Sequence, residues 1–511
     1  MVRLPLKSSS NLLGSSRQRA FRCLQGQFRK FEGNQEYCQL YKDFLTEYEQ
    51  LEHMKKAPSD ISHPRYYLPH HGILKPDSSS TKLRVVFNGS SPTSTGLSLN
   101  DIMHTGAKLQ LDVIDVLFWV RRFKFVFSTD ITKMYRQIMV HPDDWDLQCI
   151  LWRNSENEIA TYHLTTVTYG TKAAPFLAIR VLLQLIEDEG HKYPLAIPPL
   201  TKGRYVDDIY GGADTKEELS EITLDLKNLC MAGGLPLAKW QSNSPSTLKM
   251  VTEEEMIPSP ISFDDCPTST KLLGLLWYPQ EDYFLFKINS SSSGSVVTKR
   301  TMLSHIAQLF DPLGLVSPVT IRAKMLLQEL WLQKLSWDEP LSPQLTERWC
   351  NIREDLKSLI NVRAPRWVGT QENATIELHG FSDASQLAMA AVLYLVVRSP
   401  STGSKVTLLC SKTKVTPLKR LTIPRLELSA SLILARLTNY AHRVLDTQIH
   451  STTLWTDSTV SLTWITSHPA RWKDFVRNRV ELIQDLTPTA QWRYVSGKEN
   501  PAGSASRHLN Y

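Results

Sequence analysis

Two sets of acidic residues in this chain are spaced so that they could hold metal ions. The first joins Asp130, at the end of the apolar run Lys124-Phe125-Val126-Phe127-Ser128-Thr129-Asp130, to Tyr205-Val206-Asp207-Asp208. Carboxylates on strand ends and turns can chelate a pair of divalent cations. Such a pair activates an attacking hydroxyl and balances the charge of a departing pyrophosphate. Oxygen donors suit Mg²⁺, which completes its shell with nucleotide phosphates. Asp-Asp at a hairpin tip is also ordinary turn chemistry, and an Asp closing a strand is also a common helix cap. Neither carries weight alone; their joint occurrence in this order points to nucleotidyl transfer.

Neighbouring residues fit the same chemistry. Tyr135 follows Asp130 closely and could lie under the sugar of an incoming nucleotide, excluding a 2′-hydroxyl. Lys75 and Arg84 flank the polar stretch PDSSST and could close over a triphosphate, Arg as a fork of donors and Lys as a point charge. The second acidic set is Asp383, at the end of a strand in His379-Gly380-Phe381-Ser382-Asp383-Ala384-Ser385, Glu427 in PRLELSASLILARL, and Asp457 after the strand Thr453-Leu454-Trp455-Thr456. Pro424 suits a helix start, and Leu426, Ala430, Ile433 and Leu437 share one helical face. Asp, Glu and Asp on strand, helix and strand look like ribonuclease H, which cleaves the RNA of an RNA–DNA hybrid with two Mg²⁺ ions.

The elements that must position these groups can be read from periodicity. Residues 18–56 have helical spacing, with Phe21, Leu24, Phe28 and Phe31 and then Leu40, Phe44, Leu45 and Tyr48. Strands are expected at 82–87, ended by Asn88-Gly89, and at 125–130. Tyr205 to Gly212 should form a hairpin with its acids at the turn. Helices are expected at 113–122, 176–187 and 219–230, the last closed by Gly233-Gly234. Lys271–Trp277 and Tyr283–Phe286 read as two strands of a second hairpin. Residues 289–295 (NSSSSGS) read as a flexible connector. Residues 299–360 read as helical around the turn Asp311-Pro312-Leu313-Gly314. From Trp367 the expected order is strand, strand, strand, helix, strand, helix, helix, strand, helix.

With these residues in place, the chain resembles the reverse transcriptase region of BEL/Pao retrotransposons. The resemblance rests on Tyr67-Leu68-Pro69-His70-His71-Gly72-Ile73-Leu74-Lys75, RVVFNGS (84–90), SLND (98–101), STDITKMYRQI (128–138), YVDD, AQLFDPLGLVSPV (307–319) and LSWDEPL (335–341). It covers nearly the whole chain after residue 20. It implies an α+β, multidomain architecture: a right-hand fingers–palm–thumb polymerase followed by a ribonuclease H-like α/β domain. The expected divisions are a helical arm at 1–60, fingers and palm at 61–290, a helical thumb or connection at 291–365, and the ribonuclease H-like domain at 366–511.

The resemblance also implies roles. Asp130, Asp207 and Asp208 become metal ligands, and Tyr135 takes the sugar-gate position, where the family often has Phe. Lys75 and Arg84 become fingers residues near the triphosphate. Tyr169-Gly170 and Ala173-Ala174-Pro175 match the lining of the nucleotide pocket, and Leu273-Gly274 matches a hairpin that grips the primer. Asn88 departs from the usual Asp after VVF. A larger departure lies near the end: Asn500-Pro501-Ala502-Gly503 has Gly where the family has a fourth acid. Gly cannot ligate through a side chain, so weakened metal binding and impaired hydrolysis are expected, with a surface position leaving the fold intact. BEL/Pao polyproteins also carry an aspartic peptidase, and families built on this region bear the name Pao retrotransposon peptidase. Asp383-Ala384-Ser385 faintly resembles its Asp-Ser/Thr-Gly, but a peptidase needs two aspartates sharing a proton. No glycine follows Asp383, so ribonuclease H is preferred.

Bulk properties bound the partners. A chain of 511 residues, 42% hydrophobic, is long enough for several folded domains. A net charge of +7 fits a nucleic-acid partner without requiring one. Seven widely spaced cysteines with no CxxC argue against disulfides and zinc knuckles and for a reducing compartment. No stretch of about 20 apolar residues exists, so no membrane partner is expected. The expected partners are an RNA or DNA template with primer, deoxynucleoside triphosphates, Mg²⁺ and other parts of the retroelement polyprotein, of which this chain would be a middle fragment or a decayed copy. The retroelement life cycle implies cytoplasmic particles, with the nucleus as a second compartment. A catalytically inert or co-opted nucleic-acid-binding remnant is the competing expectation.

Overall fold

The structure, a computed structural model, describes residues 1–58, 65–75, 82–153, 156–252, 270–286, 296–371, 373–400 and 403–507. The Ser-rich stretch 76–81, the connector 289–295 and Cys266 lie outside the described residues. Two compact units make up the chain. One comprises Met1–Leu111, Thr129–Ile209 and Leu224–Lys239; the other comprises Asp112–Ser128, Tyr210–Thr223 and Trp240–Tyr511.

In the first unit, the helical periodicity of 18–56 becomes two helices, Arg17–Gly33 and Gln35–Gln50. Asn34 separates them and caps the second, its side chain accepting from the Tyr37 N–H at 2.9 Å, which satisfies a donor the helix leaves orphaned. The helix ends before the expected residue 56, because Met54–Lys56 pairs as an edge strand with Ile159–Leu164, which in turn pairs with Cys149–Arg153. Aromatic side chains of the second helix pack inward, with Tyr41 stacked on Trp152. His70 is buried beside them: its Nδ1 meets the Tyr41 hydroxyl at 2.5 Å and its Nε2 meets the Leu151 carbonyl at 3.0 Å. One neutral tautomer satisfies both, and burial pushes the pKa down to about 4.

The expected strand at 82–87 forms as Leu83–Phe87 and pairs antiparallel with His70–Leu74. The SLND stretch earns its place physically, since Ser98 and Asp101 form a reciprocal capping box. Pro175 lies in the first turn of the helix Ala174–Glu189. Strands Arg204–Tyr205 and Asp208–Ala213 form the expected hairpin, and the strand Phe125–Ile131 brings Asp130 into this unit at its end. One expectation needs correcting: Asp207 sits at the hairpin tip, whereas Asp208 already opens the outgoing strand opposite Tyr205.

In the second unit, Thr270–Leu272, Leu275–Tyr278, Tyr283–Leu285 and Ala364–Pro365 form an antiparallel sheet in that order. The single strand expected over 271–277 is thus two strands. Leu273 and Gly274, with φ of 51° and 90°, make the two-residue turn between them, the left-handed geometry that tight hairpins need. Helices Lys299–Gln308, Ser317–Leu332 and Pro343–Ser358 follow. Between the first two, the Asp311 carboxylate accepts from the Leu315 and Val316 N–H groups, each at 2.9 Å, fixing the expected turn.

Two buried arginines knit this unit together. Arg121, on the helix Val113–Arg121, donates to the carbonyls of Arg366 at 3.0 Å and Leu408 at 2.9 Å. Arg366 pairs with both Asp282 oxygens at 2.6 Å. Full satisfaction of every donor direction is what makes buried guanidinium groups tolerable. The remaining sheet has the order Gly403–Val415, Ala388–Ser399, Thr375–Ala384, Ser451–Thr456, Gln491–Tyr494. Thr375–Ala384 and Ser451–Thr456 run parallel, as do Ser451–Thr456 and Gln491–Tyr494. The helix Ile423–Val444 supplies this sheet's apolar cover. Among the described residues no helix is long and apolar enough to cross a membrane.

Candidate active sites

Asp130 and the 207–208 tip meet in the first unit. The Ile131 N–H donates to the Asp207 carbonyl at 2.9 Å, so the strand end and the hairpin tip are locked side by side. Val206 holds a φ of 57° just before Asp207, a costly conformation for a β-branched residue. Its N–H donates to Gln110 Oε1 at 3.2 Å, and this bond with the Ile131–Asp207 bond holds the strained tip. Burial first, and then the charge of Asp130, lift the Asp207 carboxyl above the usual carboxylate range, while Lys239 and Arg84 pull it down. Lys239 Nζ lies 3.0 Å from Asp130 Oδ2. Lys239 too has left-handed backbone, with φ of 56°.

The nucleotide-side residues gather at the same place. Burial raises the pKa of the Tyr135 hydroxyl, the Asp207 charge raises it further, and Arg84 opposes both. All three groups therefore lie within electrostatic reach of one another. The turn that carries Tyr135 is anchored by Arg136, whose Nε donates to His53 Nδ1 at 2.8 Å and whose Nη2 contacts Glu47 at 3.2 Å. Arg84 stands 5.5 Å from the centre of the Tyr169 ring, and Tyr169 donates to the Val85 carbonyl at 2.6 Å. Gly170 has φ of 96°, and a Cβ there would fall 2.1 Å from the Phe87 oxygen, so only glycine fits. Asn100 ties this loop down, donating to the Gly170 carbonyl at 3.1 Å and accepting from the Lys172 N–H at 2.7 Å. Lys75 lies at the end of its hairpin where the two strands are joined, its N–H donating to the Lys82 carbonyl at 2.8 Å. Leu273 and Gly274 belong to the second unit, where the Leu273 N–H donates to the Tyr210 hydroxyl at 3.3 Å.

The second acidic set is drawn together more tightly. Ser382 pairs with Thr456 on neighbouring parallel strands, which brings Asp383 and Asp457 to the same carboxyl edge of the sheet. Glu427 reaches them from just past the first turn of the helix Ile423–Val444. Ligand atoms of Asp383, Glu427 and Asp457 all lie within 4.8 Å of one another. Burial, and then the charges of Asp383 and Asp457, push the Glu427 carboxyl up to about 8. Its Oε2 is buried with no hydrogen-bond partner. Three converging carboxylates and an orphaned oxygen are a donor set that fits a hard divalent cation.

The C-terminal segment closes over this cluster. Asn500 Nδ2 donates to the Ser382 carbonyl at 2.9 Å, Ser506 Oγ donates to Asp383 Oδ2, and Arg507 Nη2 lies 2.7 Å from both Asp383 Oδ1 and Asp457 Oδ2. Gly503 is buried, not at the surface as expected. A Cβ there would sit 3.7 Å from Arg507 Nε, an ordinary contact. Asp383 therefore faces two carboxylates and a guanidinium, not the single facing aspartate of a peptidase dyad.

Sequence reasoning missed Lys239, Gln110 and the inward turn of Arg507. A lone Lys or Gln gives no spacing signal, and Arg507 was visible only as part of a motif. Among the described residues one further group, Asp146, Cys149 and His163, is as closely spaced. It is already satisfied: Asp146 accepts from Arg65 at 2.9 Å and contacts His163 at 2.8 Å, and burial keeps the Cys149 thiol protonated.

Comparison with known proteins agrees with this geometry. Residues 298–458 match the family described as the Pao retrotransposon-like RNaseH-like domain. No curated protein sequence matches the chain. Among solved structures, the foamy viral protease-reverse transcriptase dRH in complex with double-stranded DNA is similar, with a TM-score of 0.56 and 14% identity over 88% of this chain and 68% of that one. The foamy viral protease-reverse transcriptase with an RNA/DNA hybrid matches with a TM-score of 0.53 and 14% identity over 88% of this chain and 52% of that one. The same protein with double-stranded DNA matches with a TM-score of 0.53 and 13% identity, over 89% and 82%. At these identities the likeness is one of fold: a multidomain α+β reverse transcriptase architecture with a ribonuclease H-like region.

Proposed function

We propose that this chain, whose residues 298–458 carry a Pao retrotransposon-like RNaseH-like domain, is the RNA-directed DNA polymerase of a BEL/Pao-type retroelement, with a second, impaired ribonuclease H-like site. The observation that carries the reading is the seating of Asp130 beside the Asp207 tip, with Arg84 and Tyr135 in electrostatic reach. Asp130, Asp207 and Asp208 would hold Mg²⁺. When bound, it supplies the positive charge that favours a primer 3′-oxyanion and balances the departing pyrophosphate.

The chain's own residues do the rest. Arg84 and Lys75 offer donors to the triphosphate. Tyr135, backed by Tyr169 at 6.5 Å between ring centres, limits space at the sugar. The Gly170 loop, pinned by Asn100, fixes the pocket wall. Asp207 holds a proton more readily than an ordinary carboxyl, which eases its repulsion with Asp130. Lys239, paired with Asp130, offsets the cluster's negative charge. At the second site Asp383, Glu427 and Asp457 would hold Mg²⁺ against the RNA strand of a hybrid, lacking the fourth acid at Gly503.

Template, primer, deoxynucleoside triphosphates and the rest of the polyprotein are the partners this function requires, in cytoplasmic particles. Primer extension on an RNA template with Mg²⁺ tests it. Wild-type chain should extend the primer and Asp207→Asn should not. Equal, background-level extension by both would instead support an inert nucleic-acid-binding remnant. Hybrid cleavage by Gly503→Asp tests the second site: a higher rate than wild type is expected, and no gain refutes the impairment.

A further inference from the structure

The second unit holds a recess that neither acidic set uses. Its volume is about 880 Å³, within the range of small-molecule pockets. Every residue that lines it belongs to that unit. Its walls come from the start of the helix Val113–Arg121, the 309–314 turn, the strand Gly403–Val415 and two further helices. Ile433, Leu437 and Tyr440 recur at helical spacing on Ile423–Val444, as do Ser317, Thr320 and Lys324 on Ser317–Leu332. One face of each helix is therefore turned to the recess.

The inside is apolar and the rim is cationic. Phe118, Leu313, Cys410 and Ile433 are buried in the walls. Phe310 lines the same space yet stays 45% exposed. Its ring packs on the Gly274 turn, where an added Cβ would fall 3.0 Å from it. The Tyr440 hydroxyl donates to Asp115, which leaves the ring to face the recess. Lys324, Lys412, Lys414 and Arg436 are exposed at the rim. Among the described residues none of the four forms an ion pair with a carboxylate. Lys412 and Lys414 alternate along one strand, so they project from one face about 7 Å apart. The acids of the lining are Asp112 and Asp311, so four cations against two acids leave a net charge of +2. The Asp311 carboxylate is already occupied by the Leu315 and Val316 N–H groups.

We propose that this recess binds a free single-chain amphiphilic anion, a carboxylate on an apolar chain. The chain lies against Phe118, Phe310, Ile433 and Leu437, and the head meets Lys412, Lys414 and Arg436. Burial of the chain removes apolar surface from water, and the basic groups form charge-assisted hydrogen bonds with the head. The recess is concave, so a free molecule reaches its walls where a flat lipid surface does not. The proposal stands whether or not either acidic set turns over.

Calorimetric titration of the full chain with dodecanoate, at low salt and below its micelle concentration, tests the site. One dodecanoate should bind per chain. Decanoate, shorter by two methylenes, should bind on the order of tenfold more weakly. Dodecyltrimethylammonium has the same chain and the opposite charge, and should bind about tenfold more weakly. The double variant K412Q/K414Q should bind dodecanoate about fivefold more weakly. Its thermal midpoint should hold, since both side chains are exposed. Phe310→Ser, which thins the apolar wall, should also cost about fivefold. Wild-type affinity in both variants would overturn the proposal. Equal binding of the two oppositely charged amphiphiles would do the same, as would several weak sites per chain. A chain that ignores dodecanoate but sediments with phosphatidylserine vesicles through Lys412 and Lys414 would reassign the rim to a lipid surface and overturn the recess as a site.

Discussion

The two acidic sets solve one electrostatic problem differently. In both, carboxylates that repel one another gather at strand ends, joined in the second by Glu427 from a helix, and in both a basic side chain relieves the repulsion. At the 130/207/208 set the counter-charge is Lys239, whose side chain is 62% exposed. A hydrated lysine on a flexible stem gives way easily. At the 383/427/457 set the counter-charge is Arg507, which bridges Asp383 and Asp457 with forked hydrogen bonds beside a fully buried carboxylate. The first counter-charge is held by one carboxylate and the second by two.

Cross-inactivation is the largest test of that contrast. Asp207→Asn should lower primer extension on the order of 10³-fold, a loss typical of removing a transition-state electrostatic contact, and leave hybrid cleavage unchanged. Asp383→Asn should do the reverse. If either variant silences both activities, the two sets are not separate sites. A smaller effect separates two glycines. Gly170→Ala forces a Cβ 2.1 Å from the Phe87 oxygen at φ of 96°, which should destabilise the first unit by about 2–3 kcal/mol. Gly503→Ala meets only Arg507 Nε at 3.7 Å and should change stability by no more than about 0.5 kcal/mol. Denaturant unfolding of each variant checks both, and equal losses would remove the distinction.

Acid should weaken the first unit through its buried histidines. His70 is neutral in the fold with a pKa of about 4 instead of 6.5. Below pH 6.5 the unfolded chain therefore binds a proton that the folded chain refuses. Stability falls as pH drops from about 6.5 to about 4, and this group contributes no slope outside that window. At pH 5 the loss is about 2 kcal/mol. His53, lowered to about 4 by burial as well, acts over the same window, so His70→Gln should lessen the slope without abolishing it. An unchanged slope would mean that His70 is not one of its sources.

Much of this was legible in the chain itself. Strand-like runs ending in Asp130, Asp383 and Asp457 indicated where those carboxylates sit, because a strand end leaves its last side chain at a sheet edge. The helix start at Pro175 was equally local, whereas the break at Asn34 inside 18–56 was not read. What was not legible depended on contacts between distant segments. The 271–277 run looks like one strand because Leu273 carries no turn signal, and only Gly274 hints at the reversal. Gly503 reads as a surface turn until Asn500 fastens its segment under Ser382. Val206 is a strong strand former held at positive φ, a conflict that only the bonds around it resolve.

The pairing of Arg507 leads to the finest test of the comparison. The Arg507 side chain is 47% exposed, so water weakens its contacts, yet it bonds the fully buried Asp383 carboxylate, and a divalent cation entering the 383/427/457 set must first displace it. Removing the guanidinium leaves three carboxylates whose mutual repulsion only a cation can relieve. Arg507→Gln should therefore raise Mn²⁺ affinity at this set about tenfold, or about 1.4 kcal/mol, read by titration calorimetry and abolished by adding Asp457→Asn. Lys239→Gln at the other set should change affinity by less than about threefold, since water already screens that lysine. Should Arg507→Gln leave Mn²⁺ binding unchanged, the guanidinium is not competing with the cation, and the missing acid at Gly503 alone would have to account for a weakened site.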